Sequence, residues 1–240
     1  MTFDPAILAD YWPLFLQGAW LTVRICAVAF IVGYSIGILV ALAALVPSRI
    51  VRALVGAYVG LLRSVPFIII LFLVYYGLPF AGIRFPAYVT GTLALALFAS
   101  AYYAEIVRGA ILSLPRGQFE SARTVGMSPL QAMRHVVFPQ ILRGLVPPSV
   151  NMTLTMIKES AVLSSITVAE LTYQSLVVQG NTFAPFEAFA AVTLIYWAIT
   201  VVVARLAAIL EARTGTAERE DVERNALAAS FLTLEAPKRR

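Results

Sequence analysis

Apolar residues in this chain neither alternate nor return on one helical face; they run on in blocks. One block from about Ala19 to Val46 is broken by a single charge, Arg24, and a second from about Ala53 to Gly77 only by Arg63. A third covers about Ala87 to Leu112 with Glu105 and Arg108 near its end, a fourth about Leu145 to Val168 with Lys158 and Glu159, and a fifth about Ala188 to Leu210. A helix rises about 1.5 Å per residue and a bilayer core of about 30 Å takes about 20 apolar residues. Each block is therefore long enough to cross, the longer ones with tilt. The pattern predicts an all-α integral membrane protein of five transmembrane helices with its termini on opposite sides.

Composition agrees with this class. Of 240 residues, 60% are hydrophobic and 13% charged, against about 25% charged in a soluble domain. Basic residues in short connections mark the cytoplasmic side. Arg49 and Arg52 follow the first block, Arg108, Arg116, Arg123, Arg134 and Arg143 gather between the third and fourth, and the chain ends "APKRR". The opposite connections hold only Arg84. The N-terminus is expected outside, the C-terminus in the cytoplasm. Asp4 and Asp10 stand where a cleavable signal would be basic, so none is expected. The net charge of +5 reflects this asymmetry, with a contribution from anionic lipid, and calls for no nucleic acid. A single cysteine, Cys26, excludes an internal disulfide and reads as a small buried hydrophobe. The expected organisation is a membrane domain over residues 1–210 and a charged cytoplasmic tail over 211–240, helical at first and fraying near its end.

Between the third and fourth blocks lies a polar stretch at about 113–142. "SLPRGQFESARTVG" has an early proline, then Phe119, Ala122 and Val125 at spacing three, and Gly126 where a helix ends on a left-handed residue. "SPLQ" then supplies Ser128 as N-cap, Pro129 at the first helical position and Gln131 at the capping-box position. The second helix is expected to run through "LQAMRHVV" until Pro139 stops it. Two short helices meeting at a glycine corner could be a plain interfacial hairpin or a docking element fixed to two spans.

The spacing within this stretch favours docking. Glu120, Ser121 and Ala122 are followed after three residues by Gly126, after nine more by Val136, and then by Phe138 and Pro139. This resembles the EAA loop of permease subunits of ATP-binding cassette (ABC) importers: Glu-Ala-Ala, three residues, Gly, nine residues, Ile, one residue, Leu-Pro. Ser121, Val136 and Phe138 are mild departures. The segments "LLRSVPFIIILFLVYYGLP", "AYYAEIVRGAILSLPRGQFESARTVGMS" and "MIKESAVLSSITVAELT" resemble the polar amino acid branch of that family, and the likeness covers about residues 15–210.

The resemblance implies a bacterial cytoplasmic (inner) membrane protein that moves a polar amino acid, or a related amine or opine. It implies no cofactor in this chain, which has no G-x-x-x-x-G-K-[ST] loop; ATP and Mg are bound by a partner ATPase dimer. Glu120, Ser121, Ala122, Gly126 and Pro139 would couple the loop to that ATPase. A second permease subunit, identical or related, and an external solute-binding protein complete the assembly, with "AELTYQSLVVQGNTFAPFE" as an external loop able to contact the latter.

Ionisable groups inside the hydrocarbon cost about 2.5–3.5 kcal/mol each on insertion scales and normally face a cavity or a partner. Arg24 and Arg108, near span ends, are expected to snorkel. Arg63 precedes Ser64 and Pro66, and that proline can break the helix. Lys158 and Glu159 point about 100° apart on a helix, so at least one is expected to find a partner on another span. Arg63, Ser64, Glu105, Lys158, Glu159 and Ser160 are expected to line or brace a substrate path between two permease subunits. The plainer alternative is that they only lock spans together.

Two other functions fit parts of the chain. "GYSIG" has the G-x-S-x-G form around Ser35, which suggests an intramembrane serine hydrolase, but the only histidine, His135, falls in the polar loop. Gly33 and Gly37, four apart, read more simply as a packing face. An ion-gradient secondary transporter would use the charges but leaves the loop unexplained and has no inverted repeat. Trp12, Trp20, Tyr75 and Tyr76 suit the membrane boundary.

Overall fold

The computed structural model describes residues 4–214, and all regular structure among them is helical. Helix α1 (Pro5–Ala44) starts on Asp4, whose carboxylate accepts the Ala6 amide at 2.9 Å, with Pro5 in the first turn. Its buried positions include Gly18, Thr22, Cys26, Ala29, Gly33, Gly37 and Ala41, a seam of small residues three or four apart. That seam lets a second backbone approach closely. A Cβ on Gly33 would stand 2.8 Å from the Ala96 carbonyl oxygen, and one on Gly37 2.7 Å from the Tyr103 Cβ, both on α4 (Ala87–Leu112). Ser35 points away from this seam, its hydroxyl donating to the Ile31 carbonyl at 2.7 Å.

The predicted second span is two helices. Helix α2 (Arg49–Ser64), capped by Ser48, stops where Val65 turns extended at φ −99° and ψ 134°. Helix α3 (Phe67–Phe80) resumes after Pro66 at a bend of 110°. Proline disfavours helical conformation at the residue before it, and the break falls at Val65. Phe67 of α3 packs on Phe98 of α4 with ring centroids 5.1 Å apart. At the centre of the bundle, buried Tyr103 sits against Phe30 and Tyr34 of α1 and meets the Thr153 hydroxyl at 2.9 Å.

Thr153 belongs to α7 (Phe138–Glu159), which continues as a 3₁₀ helix (Ser160–Ile166) to the left-handed Thr167. Helix α8 (Leu171–Thr182) follows, then Phe183 with positive φ, and then α9 (Pro185–Thr214). The stretch expected to be an external loop is therefore mostly helix α8. Its Leu171 and Val178 are buried with Phe15 of α1 and Ala188, Ala191 and Val192 of α9. These two apolar positions, two turns apart, hold the segment as a helix against the bundle.

Three helices are individually long and apolar enough to cross a membrane: Pro5–Ala44, Ala87–Leu112 and Pro185–Ile209. Two bent pairs raise the number to five if each is one span: α2 with α3, and Pro129–Ile166 with α8 at 49°. Beyond Thr214 the tail lies outside the described residues.

Candidate coupling loop and membrane charges

The polar loop opens with α5 (Arg116–Thr124), which starts after Pro115. It ends as expected on Gly126, at φ +80°. The Gly126 amide donates to the Arg123 carbonyl at 3.0 Å and the Met127 amide to the Ala122 carbonyl at 3.1 Å. This is a Schellman turn. Helix α6 (Pro129–Ala132) carries the expected capping box: Ser128 Oγ accepts the Gln131 amide at 3.3 Å, and Gln131 Oε1 accepts the Ser128 amide at 2.8 Å. Glu120, Ser121 and Gly126 are exposed. Ala122 is buried, packing α5 toward the helix that follows.

Pro139 does not end the second helix. A π turn (Met133–Val137) precedes it, with the Phe138 amide donating back to Met133, and Pro139 falls in the first turn of α7. The wide turn absorbs the proline where an amide is least needed. The Gln140 side-chain amide donates to the Val136 carbonyl at 2.9 Å and to Gln118 Oε1 of α5 at 3.0 Å. From Pro129 to Glu159 the backbone is thus one helical run of about 45 Å, tied to α5 by Gln118 and Gln140. His135 lies in the π turn with Nδ1 3.0 Å from the Gln131 carbonyl, on a different element from Ser35.

Of the six expected path residues, Arg63 and Glu105 come together. Arg108 holds Glu105 with two parallel bonds, Nε to Oε1 at 2.8 Å and Nη2 to Oε2 at 3.0 Å, rather than snorkelling alone. Arg63 approaches Glu105 Oε2 at 3.6 Å, and its guanidinium carbon lies 5.3 Å from the Tyr102 ring centroid. These three charges, with Arg52, border a cavity of about 390 Å³ between α2, α4 and the end of α1. Ser64 is exposed at the end of α2. Lys158 and Glu159 lie at the end of α7, and neither makes the expected ion pair with another span among the described residues. Lys158 is exposed and Glu159 partly so. Ser160 is buried, its hydroxyl donating to the Ile157 carbonyl at 2.7 Å.

One buried acid had no part in the sequence reading. Glu170 is fully buried and caps α8, accepting the Thr172 and Tyr173 amides at 2.9 and 2.8 Å. Tyr196 of α9 donates its hydroxyl to Glu170 at 2.9 Å, while Thr22 of α1 accepts the Leu171 amide at 3.1 Å. Three helices are joined there. Its signal was an acid directly before an apolar, uncharged stretch, the position of an N-cap.

A helical bundle with a capped polar loop and charged residues within apolar helices is the framework of a transport permease. Residues 33–216 match the family described as the binding-protein-dependent transport system inner membrane component, and the chain belongs to that family. It is a permease subunit of an ABC importer; in this family nucleotide binding falls to a partner ATPase, and the permease is not itself an enzyme. A nopaline transport system permease of Agrobacterium fabrum strain C58 is 35% identical over 219 residues, covering 87% of this chain and 90% of its own length. An arginine ABC transporter permease of Haemophilus influenzae strain Rd is 32% identical over 203 residues, covering 82% and 91%. The crystal structure of an amino acid ABC transporter with histidines aligns at a TM-score of 0.82 and 34% identity, covering 89% of this chain and all of that one. The family sets aside the hydrolase and gradient-driven alternatives.

Proposed function

We infer that this chain carries a polar amino acid, or a related amine or opine, across a bacterial cytoplasmic membrane as one half of a permease pair. With each bent pair counted as one span, an odd number of crossings puts the termini on opposite sides, and the clustering of arginines around the loop favours an outside N-terminus and a cytoplasmic tail. An ATPase dimer binding ATP and Mg docks on the loops, and a solute-binding protein delivers the substrate from outside. The relatives named for nopaline and arginine carriage support the substrate class. Residues 1–210 form the permease domain and 211–240 its cytoplasmic tail.

The observation that carries the coupling is a rigid connection. Glu120 and Ser121 are exposed on α5, which a Schellman turn, a capping box and the Gln118–Gln140 bond fix to the run ending at Glu159. Glu120 and Ser121 meet the ATPase, Ala122 and Gly126 set the shape of the corner, and Pro139 starts the helix that carries the movement inward. Lys158 and Glu159, without an ion pair among the described residues, face the path or the second subunit and offer both signs to a zwitterion. Arg63 and Glu105 brace the cytoplasmic half with Arg108, Ser64 lies beside them, and Ser160 packs the end of α7.

The test is co-purification from native membranes in mild detergent. The wild type is expected to bring down an ATPase with a phosphate-binding loop, and Glu120→Arg to lose it while the permease stays in the membrane. Equal recovery of the ATPase with both chains would remove Glu120 from the interface.

A further inference from the structure

We propose that the cavity bordered by α2, α4 and the end of α1 binds the phosphate headgroup of an anionic phospholipid. One face of α2 carries Arg52, Gly56, Gly60 and Arg63, residues recurring one turn at a time, and all four border the cavity. A Cβ on Gly56 or Gly60 would meet nothing within 4 Å. The two glycines therefore leave a trough about 16 Å long with a guanidinium at each end. Arg108 closes its side.

The charge in this cavity is unbalanced. Three arginines face one carboxylate, Glu105, which already accepts both bonds of Arg108. Arg63 reaches Glu105 only at 3.6 Å, and Arg52 has no ion pair among the described residues. Cations left unmatched next to hydrocarbon are costly, and a phosphodiester removes that cost by accepting several guanidinium bonds at once.

A lipid fits better than a free anion because of what surrounds the trough. Ala44, Val55 and Val59 line it between the charges, and Leu45 and Val46 are exposed just past its α1 edge, apolar surface that acyl chains would cover. The cavity also lies where α1 ends and α4 runs toward the polar loop, the side that the arginine distribution assigns to the cytoplasm. Basic pockets between helices on the cytoplasmic side hold anionic headgroups in this way. The leaflet rests on the orientation proposed above; the binding itself does not, so the two can fail separately.

The full-length chain, purified in mild detergent and stripped of lipid, would be titrated with phosphatidylglycerol and with phosphatidylcholine and read by native mass spectrometry. Phosphatidylglycerol is expected to bind in preference. Arg52→Gln, outside the Glu105 pairings, should weaken it about fivefold. Gly60→Leu, whose Cβ meets nothing within 4 Å and whose branch would occupy the trough, should abolish it, whereas Arg84→Gln, in the turn before α4, should change nothing. Equal binding by wild type, Arg52→Gln and Gly60→Leu would overturn the site. Equal retention of both lipids would overturn its charge basis, and displacement of phosphatidylglycerol by millimolar inorganic phosphate would replace the lipid with a free anion.

Discussion

At the scale of the residue, the charged positions divide by whether the chain satisfies them. Glu105 accepts two bonds from Arg108 and approaches Arg63, whereas Lys158 and Glu159 have no ion partner among the described residues. Changing Glu105 to Gln leaves two guanidiniums without their carboxylate, and because the cluster is partly exposed the expected loss is about 1–2 kcal/mol. Thermal unfolding in detergent should show this, with uptake falling only as far as folded protein is lost. Lys158→Met should do the reverse, leaving the melting temperature in place and reducing substrate uptake in vesicles at least several-fold; unchanged uptake would take Lys158 out of the path. The pairing of Glu105 with Arg108 lay within reach of the sequence, since residues three apart share a helix face, but Arg108 was expected to snorkel instead. The approach of Arg63 was out of reach, because it depends on the angle at which α2 crosses α4, which no local pattern encodes.

At the scale of the element, backbone geometry decides what a substitution can do. Gly37 lies against the Ala104 amide and Ser100 carbonyl of α4, each 3.0 Å from where a Cβ would stand, and neither can yield as a flexible side chain would. Gly37→Leu is therefore expected to destabilise the bundle by at least about 3 kcal/mol and to give aggregated protein on size exclusion. Gly56→Ala, facing open space on α2, should elute normally and melt slightly higher, by about 0.5–1 kcal/mol of helix preference. Gly126 is constrained by conformation rather than space, at φ +80°. Gly126→Val should cost about 1–2 kcal/mol at the corner and weaken ATPase recovery while leaving the membrane helices folded, which protease resistance of the spans would check. The glycine spacing of α1, the corner at Gly126 and the capping box could all be read from sequence because each is a local rule. Helix α8 could not be recovered by counting charges, since an uncharged stretch between two spans satisfies the rule for an external loop as well as that for a buried helix. Pro139 misled for a related reason: the rule that proline ends a helix assumes α geometry, and the π turn before it changes the register.

At the scale of the whole molecule, the continuous run from Pro129 to Glu159 puts the polar loop at one end of a single helical rod and Lys158 and Glu159 at the other, the layout the proposed lever needs. A lever transmits movement only if its handle cannot swing, and α5 is restrained by the turn at Gly126 and by the bond between Gln118 and Gln140. Gln140 also satisfies the Val136 carbonyl at the π turn, so it stiffens the joint where the run is most easily bent. Gln140→Ala should then separate two activities that the wild type keeps together. In vesicles containing the assembled importer, ATP hydrolysis is expected to stay within about twofold of wild type, because the proposed contact of Glu120 and Ser121 with the ATPase is left intact, while uptake per ATP falls several-fold because part of the stroke is absorbed at the joint. Measuring both on the same vesicles distinguishes this from a docking defect, in which hydrolysis and uptake would fall by the same factor and Gln140 would belong to the interface rather than the lever.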